Sequence, residues 1–176
     1  MIFAALGGNL PVPGIGTPRD VVIAAAQVID AIDISVIDQS PWYQTAPVPA
    51  SDQPDFINGV ILLETALSAA GLLARFHEIE DAFGRMRGVA NAARTLDIDL
   101  LDYRGTVVGP PDVPPNVPPG GQDGLMLPHP RLQDRAFVLM PLYDLAPNWI
   151  DPRDGRSIDE LIDSLPPGQT CRRLIL

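Results

Sequence analysis

Two aspartates preceded by an arginine form the pattern in this sequence that is best suited to chemistry. They lie in the run Arg-Thr-Leu-Asp-Ile-Asp-Leu-Leu at 94–101. If this run is a β-strand, Asp97 and Asp99 point to one face and the apolar side chains between them point to the other. Their Cβ atoms then lie roughly 6–7 Å apart, because a strand rises about 3.3 Å per residue. Two carboxylates at that spacing suit a pair of divalent ions that share a phosphate group.

The same run also fits an ordinary half-buried strand, with its apolar residues facing inward and its acids facing solvent. Arg94 would then be the partner in a surface ion pair, an interaction that contributes little to stability. Taken alone, the pattern favours this simpler interpretation. Support for metal-dependent chemistry must therefore come from the rest of the chain.

Composition narrows the classes of function. The length of 176 residues predicts a single domain over 1–176, and 46% hydrophobic with 19% charged residues is typical of a folded globular protein. The formal charge of −10 argues against a nucleic-acid partner, because the phosphates would be repelled. No basic amphipathic stretch or long apolar run predicts contact with a membrane. Cys171 is the single cysteine, which excludes an internal disulfide and fits a reducing cytoplasm. We expect a cytoplasmic monomer.

The identity of the basic residues restricts function further than the net charge does. All twelve are arginines, and the sequence contains no lysine. A Schiff-base lysine and a phosphate-binding lysine of the P-loop type are therefore excluded. Any phosphate must be held by arginine, by backbone N–H groups or by a metal ion, and the planar guanidinium group suits bidentate contact with phosphate. A compositional bias of the source genome would explain the same residue usage.

Periodicity and helix-start signals predict an α+β fold. Thr17 followed by a proline, Ser68, and the Ser-x-x-Glu sequence that begins at Ser157 each mark the start of a helix. A Gly-Gly-Asn turn at 7–9 is expected to end the first strand. The predicted helices cover 18–31, 69–83, 136–145 and 158–164, and the predicted strands cover 2–6, 34–43, 56–64, 94–101 and 170–174.

The order of these elements is strand, helix, strand, strand, helix, strand. It predicts a ferredoxin-like α/β sandwich, an antiparallel sheet with helices on its faces, followed by a C-terminal extension. The region 109–124 contains six prolines and predicts a surface loop.

One acid falls on the apolar stripe of the second predicted helix. Glu80 follows Phe76 by four residues and therefore lies on the same side of the helix. A carboxylate in that position is costly unless it is paired or lies at the edge of a pocket. A glutamate at the edge of the stripe that reaches solvent is the favoured interpretation from the residues alone.

Four stretches of the chain, at 43–48, 53–58, 79–99 and 127–139, together resemble the 6-hydroxymethyl-7,8-dihydropterin pyrophosphokinase family of folate biosynthesis. The most specific combination is Arg-x-x-Asp-x-Asp at 94–99, followed by Pro-His-Pro at 128–130 and Arg-Ala-Phe at 135–137. The resemblance implies transfer of pyrophosphate from ATP to the hydroxymethyl group of the pterin, with release of AMP. The expected partners are these two small molecules.

The resemblance also implies roles for charged residues. Asp97 and Asp99 would hold two Mg²⁺ ions that bridge the ATP phosphates, since Mg²⁺ prefers carboxylate and phosphate oxygens. Arg85 and Arg94 would be catalytic, because they would neutralise charge on the group in transfer. The residues expected to contact or border ATP are Glu80, Arg87, His129 and Arg135.

The pterin side of the site is implied in the same way. Phe56 and Phe137 would stack on the two faces of the flat ring. Asn58 would offer a donor and an acceptor to its polar edge. The matching stretches add Thr45 and Pro47 to this substrate-binding set. Each of these residues, taken singly, is also compatible with an ordinary packing or loop-stabilising role.

The sequence departs from the family in three places, the last of which is Gly124 and Met126, ahead of His129, where basic and hydroxyl residues are common. Gly-Gly-Asn-Leu-Pro at 7–11 replaces the usual Gly-Ser-Asn-Leu-Gly, and Val-Ala-Asn-Ala-Ala at 89–93 lacks the basic residue and tryptophan expected there. A loop that closes over the substrates would be weakened by the second change. A non-catalytic homologue that binds pterin or nucleotide is therefore one alternative. The others are a metal-dependent phosphoesterase and a purely structural ferredoxin-like module.

Overall fold

The computed structural model describes residues 1–30, 33–86, 92–109 and 125–175. The first strand, β1 (Ile2–Gly8), leads to helix α1 (Pro18–Ile29) and to strands β2 (Ile34–Gln39), β3 (Tyr43–Thr45) and β4 (Phe56–Thr65). Helix α2 (Ala69–Ala82) and strand β5 (Asp97–Tyr103) follow. The C-terminal part contains a short 3₁₀ helix (Leu132–Asp134), helices α3 (Ala136–Leu145) and α4 (Ile158–Asp163), and strand β6 (Cys171–Arg173).

The six strands form one sheet in the order β5-β1-β4-β3-β6, with β2 beside the other end of the long strand β4. The strand pairs are antiparallel. The path β5-β1-β4-β2 is the ferredoxin-like order, so the predicted fold class is confirmed. The prediction of a single domain over 1–176 stays a prediction.

Helices cover both faces of the sheet. On the first face, α1 and α2 pack on side chains from β1, β4 and β5 in one buried cluster that includes Leu6, Phe76 and Ile98. On the second face, α3 and α4 pack on Phe3, Val60 and Leu101 in another cluster. The C-terminal extension therefore contributes a second core rather than a loose tail. None of the helices in the described ranges is both long and apolar enough to cross a membrane.

The predicted helix starts are confirmed by their caps. Thr17 and Asp20 form a capping box at the start of α1, and Ser157 and Glu160 form another at the start of α4. Ser68 accepts a hydrogen bond from the backbone N–H of Gly71 at the start of α2. These signals act within one turn of helix, and neighbouring residues therefore predict them well.

Three predicted strand boundaries are wrong for reasons that lie in distant residues. The predicted turn at 7–9 begins too early, because Gly7 and Gly8 pair with Asn58 and Ile57 as part of β1. Residues 94–96 precede β5 instead of belonging to it, and the carbonyl of Arg94 accepts hydrogen bonds from the backbone N–H groups of Asn9 and Leu10. The predicted strand 34–43 is divided into β2 and β3.

Candidate active site

A row of residues across three strands forms the floor of a cleft. Gly7 in β1 pairs with Asn58 in β4 on one side and with Asp97 in β5 on the other. All three line the same cleft, which measures about 560 Å³, part of it open to solvent. The cleft lies on the second face of the sheet, beyond the area covered by the α3–α4 core.

Gly7 leaves room for the side chain of Asn58 on the floor of the cleft. A Cβ atom at this position would stand 2.4 Å from Oδ1 of Asn58. The buried amide of Asn58 in turn donates a hydrogen bond to Oγ1 of Thr45, at 2.7 Å. Any larger residue at position 7 would therefore displace the polar group that faces the cleft. Glycine is needed here for the close approach of a neighbouring side chain, not for backbone freedom.

The apolar lining of the cleft comes from three separate parts of the chain. Phe56 stands at the start of β4, Phe137 stands in the first turn of α3, and Pro47 lies in the loop after β3. The guanidinium group of Arg135 packs over the ring of Phe137, 5.2 Å from its centroid. Two phenylalanines beside a buried amide can accommodate a flat, polar-edged ring, because stacking uses the ring faces and hydrogen bonds use its edge.

The carboxylate of Asp97 binds two guanidinium groups. Nη1 of Arg94 donates to Oδ2 of Asp97 at 2.7 Å, and Nη1 of Arg85 donates to Oδ1. Arg85 also donates to the carbonyl of Leu96 at 2.7 Å. Burial works against the charge of Arg85, but the carboxylates of Asp97 and Glu80 outweigh it and raise the pKa of that guanidinium group. Arg85 therefore stays charged at the edge of the cleft.

Glu80 lies behind these arginines. Glu80 is only 2% exposed. The interpretation of a glutamate at the edge of the apolar stripe that reaches solvent is therefore wrong. Its Oε1 accepts hydrogen bonds from the backbone N–H of Ile98 at 2.8 Å and from Arg85 at 3.1 Å. A buried carboxylate needs such partners to offset the loss of water. The contact links α2 to β5 and orients Arg85 toward Asp97.

Asp99 faces a second group of cations from the C-terminal part. Nε2 of His129 lies 3.8 Å from Oδ1 of Asp99, and Nη1 of Arg135 lies 3.6 Å from Oδ2. Burial disfavours the charged carboxylate, yet the positive charges of His129, when protonated, and Arg135 lower the pKa of Asp99. Burial lowers the pKa of His129, and the charge of Asp99 only partly opposes this. Asp99 is therefore ionised near neutral pH. Arg135 is then its main cationic partner, because the lowered pKa of His129 favours the neutral imidazole.

The family model for 7,8-dihydro-6-hydroxymethylpterin-pyrophosphokinase matches residues 3–147. The chain belongs to this family. It is 37% identical over 161 residues to the 2-amino-4-hydroxy-6-hydroxymethyldihydropteridine pyrophosphokinase of Synechocystis sp., an alignment that covers 91% of this chain and 73% of that protein. Its identity to the protein of the same name from Pseudomonas aeruginosa is 36% over 166 residues, covering 94% of this chain and 91% of the relative. This pyrophosphokinase family works in folate biosynthesis, and none of the comparisons favours the non-catalytic alternative.

Longer proteins contain a similar region. The folic acid synthesis protein fol1 of Schizosaccharomyces pombe is 33% identical over 165 residues, which is 93% of this chain but 20% of that protein. The HPPK-DHPS protein of Plasmodium falciparum aligns in structure with a TM-score of 0.62 and 13% identity, covering 92% of this chain and 43% of the other. At that identity, the structural match shows the pyrophosphokinase fold alone.

The structure brings together most of the residues that the sequence singled out for this family. One cleft is lined by Thr45, Pro47, Phe56, Asn58, Arg94, Asp97, Arg135 and Phe137. Arg85, Asp99 and His129 adjoin it through the ion pairs described above, and Glu80 lies behind Arg85. Arg87 lies outside the described residues, as do most of the 89–93 loop and residues 110–124 of the proline-rich region.

Two further residues at or behind the cleft were not assigned a role from the sequence. Arg131 lines the cleft beside Arg135. It directly follows the Pro-His-Pro motif, and its place in that motif could have signalled it. Asn9 is buried behind the floor, where its Oδ1 accepts from the backbone N–H of Arg94 at 2.8 Å and its Nδ2 donates to the carbonyl of Pro54 at 3.0 Å. Its position in the Gly-Gly-Asn turn gave no hint of these distant contacts.

The donor set also allows a test of fit for metal ions. Within the described residues there is no cluster of three or more histidine, cysteine, aspartate or glutamate side chains that could enclose a metal ion. Asp97 and Asp99 nevertheless lie on one face of β5 at an open cleft, each partly exposed. Mg²⁺ is commonly held by only one or two carboxylates, with water and substrate phosphate completing its shell. The pair therefore fits a metal that arrives with a phosphate-bearing substrate, not a permanently enclosed ion.

Proposed function

We propose that this cleft transfers pyrophosphate from ATP to the hydroxymethyl group of 6-hydroxymethyl-7,8-dihydropterin and releases AMP. The hydroxyl oxygen would form a bond to the β-phosphorus, while the bond from that phosphorus to the oxygen of the α-phosphate breaks. AMP would leave with that oxygen, and the hydroxyl proton would pass to solvent. The observation that carries the proposal is the row Asp97–Gly7–Asn58, which joins an acidic, arginine-rich end of the cleft to an amide and two aromatic rings.

The polar end of the cleft suits the triphosphate. In this assignment Asp97 and Asp99 hold two Mg²⁺ ions, which would offset charge on the phosphate oxygens and align the group in transfer. Arg85 and Arg94 already lie on the carboxylate of Asp97, so both reach phosphate oxygens placed beside it. Arg135 and His129 lie beside the carboxylate of Asp99. In this assignment they would contact the nucleotide. Dependence on Mg²⁺ and the count of two ions belong to this proposal.

Glu80 takes a supporting role in the same scheme. Its carboxylate is buried, and its contact with Arg85 fixes the direction of that guanidinium group. We therefore assign Glu80 to the orientation of Arg85 rather than to direct contact with ATP. Arg87, expected at the nucleotide, remains part of the proposal from its place in the sequence.

The apolar end of the cleft suits the pterin. Phe56 and Phe137 line the cleft, and Asn58 is held by its hydrogen bond to Thr45. In this assignment the two rings would stack on the faces of the pterin and Asn58 would pair with its polar edge. Pro47 closes the cleft from the β3 side. Binding of both substrates in one cleft brings the hydroxyl group to the phosphate, and such positioning supplies much of the catalysis in phosphoryl transfer.

An assay for AMP tests the proposed reaction. The protein is incubated with ATP, Mg²⁺ and the hydroxymethyl pterin, and AMP is separated by chromatography. We expect AMP only when all three are present, and loss of AMP on addition of EDTA. Release of inorganic phosphate without the pterin would instead favour a phosphoesterase, and pterin binding without any AMP would favour a binding protein. A cytoplasmic location, a monomeric state and the absence of a nucleic-acid partner stay predictions.

A further inference from the structure

A short C-terminal segment, residues 169–173, reaches both walls of the cleft. It lies outside residues 3–147, the range matched by the family model. Its strand β6 pairs with β3, with Cys171 opposite Thr45, and the carbonyl of Thr170 accepts from the backbone N–H of Ala46 at 3.4 Å. This end of the segment therefore supports the wall that carries Thr45 and Pro47.

The other end of the segment holds the start of α3. The side-chain amide of Gln169 donates from Nε2 to the carbonyl of Asp134 at 2.8 Å, and its Oε1 accepts from the backbone N–H of Ala136 at 2.9 Å. These two backbone groups lie on either side of Arg135. One side chain thus holds the backbone before and after the arginine that faces Asp99.

The start of α3 depends on this contact. Arg135 occupies the N-cap position with an extended backbone, and its own side chain makes no capping hydrogen bond. The first N–H groups of a helix lack partners within the helix, so a group from elsewhere must satisfy them. Gln169 does this for Ala136, whereas α1, α2 and α4 are capped by their own N-cap residues.

We propose that Gln169 is a positioning residue for both substrates, through the first turn of α3. That turn carries Arg135, which faces Asp99, and Phe137, which lines the pterin end of the cleft. Because β6 is also paired with β3, the segment sets the distance between the two walls of the cleft. The inference rests on the proposed function, since it assigns the effect of Gln169 to substrate binding in that reaction.

The alternative is that Gln169 merely caps a helix. A cap that acts on stability alone would lower the unfolding midpoint and leave the substrate affinities of the folded protein unchanged. Ser157→Ala provides a matched control for that case. It removes a capping group from α4, which packs in the second core and contributes no residue to the cleft.

The test uses the full chain with Gln169→Met, Gln169→Glu and Ser157→Ala. Glutamate keeps an acceptor for the N–H of Ala136 but sets a carboxylate oxygen against the carbonyl of Asp134, and two acceptors repel each other, so this variant should also raise both KM values. For Gln169→Met we expect KM for the pterin and for ATP to rise about tenfold, the scale of one misplaced hydrogen-bonding group. Ser157→Ala should lower the unfolding midpoint to a similar degree and leave both KM values at those of the unmodified chain.

Wild-type KM values in Gln169→Met, together with a loss of stability like that of Ser157→Ala, would overturn the proposal. If Gln169→Met does not fold, Gln169→Glu decides alone, and unchanged KM values again count against the role. Absence of AMP from the unmodified protein would contradict the proposed function instead. In that case calorimetric Kd values for the pterin, compared between the same variants, still test the positioning role.

Discussion

One face of the sheet contains two regions built by the same three strands. In one region, β1, β4 and β5 contribute Phe3, Val60 and Leu101, which pack against α3 and α4 without exposure to solvent. In the other region, which lies a few residues further along, the same strands contribute Gly7, Asn58 and Asp97 to an open cleft. The same strands run through both regions, with one irregularity in the β1–β5 pairing between Phe3 and Ala4. The side chains that these strands present distinguish the core from the site.

The aspartates of the two regions have different hydrogen-bond partners. Asp102 in the packed region is buried, and its Oδ2 accepts from Nε1 of Trp149 at 2.8 Å while Oδ1 accepts from the N–H of Gly105. Asp97 in the cleft binds two arginines at the solvent edge. A neutral donor suffices for a buried structural acid, whereas several charges in a partly open site provide an environment for phosphate. Variants in the two regions should therefore separate stability from activity.

Asp97→Asn should have the largest effect on activity. The amide keeps the shape of the side chain but removes the charge that binds Arg85 and Arg94 and, in our proposal, metal. We expect kcat to fall by about a thousandfold, comparable to the loss of a main electrostatic contribution in other enzymes. AMP release under saturating substrate measures this.

Asp102→Asn is the matched control on the same strand. Both carboxylate oxygens of Asp102 accept hydrogen bonds, and the amide group of asparagine can replace only one of them. One buried donor is then left without a partner, so the free energy of unfolding should fall by about 1–3 kcal/mol. The kcat of the folded fraction should stay near wild type. A near-normal rate for Asp97→Asn, or an equal fall in both variants, would contradict the separation of the two regions.

Phe3→Ala should have the largest effect on stability. Phe3 is fully buried in the packed region. Truncation of a buried phenylalanine costs about 3–5 kcal/mol, because contacts are lost and a cavity remains. Urea unfolding followed by circular dichroism measures the change. KM for the pterin, determined well below the unfolding transition, should not change, and a rise of more than a few-fold would show that the two regions are coupled.

Phe137→Ala should weaken pterin binding while leaving most of the fold intact. The ring is partly exposed on the cleft and also supports the guanidinium group of Arg135. We expect a loss of about 1.5–3 kcal/mol in binding free energy, the value of burying a large apolar side chain. Calorimetric titration with the pterin measures it. Val138→Ala, a neighbouring change that faces the packed core, should instead lower stability and spare pterin affinity.

Gly7→Ala should weaken pterin binding less than Phe137→Ala does. The added methyl group would meet Oδ1 of Asn58 at 2.4 Å and force that side chain out of the position where, in our proposal, it pairs with the pterin. We expect Kd for the pterin to rise about tenfold, since one misplaced hydrogen bond costs about 1 kcal/mol or somewhat more. Gly59→Ala is a fitting comparison, because its methyl group would meet Trp42 on the first face of the sheet. It should lower stability and leave pterin affinity as it was.

Patterns within a few residues were sufficient for much of the fold. The capping sequences at Thr17, Ser68 and Ser157 correctly predicted where three helices begin, and the order of elements correctly predicted the ferredoxin-like sheet. Alternation along 97–99 placed two acids on the face opposite Ile98, and this agrees with the structure. These properties follow from periods of about 3.6 and 2 residues, which a chain expresses locally.

Contacts between distant residues decided the rest. Glu80 looked like a glutamate at a helix edge, but packing of α2 on β5 buries it against Arg85. Gly7 and Gly8 looked like a turn, but pairing with β4 extends the strand and places Gly7 beside Asn58. Gln169 carried no signal at all, because its role depends on α3 lying next to β6. The sequence by itself determined which elements form and which residues could do chemistry. Only the tertiary structure determined which of them share a cleft, because burial and ion pairing depend on neighbours brought together by folding.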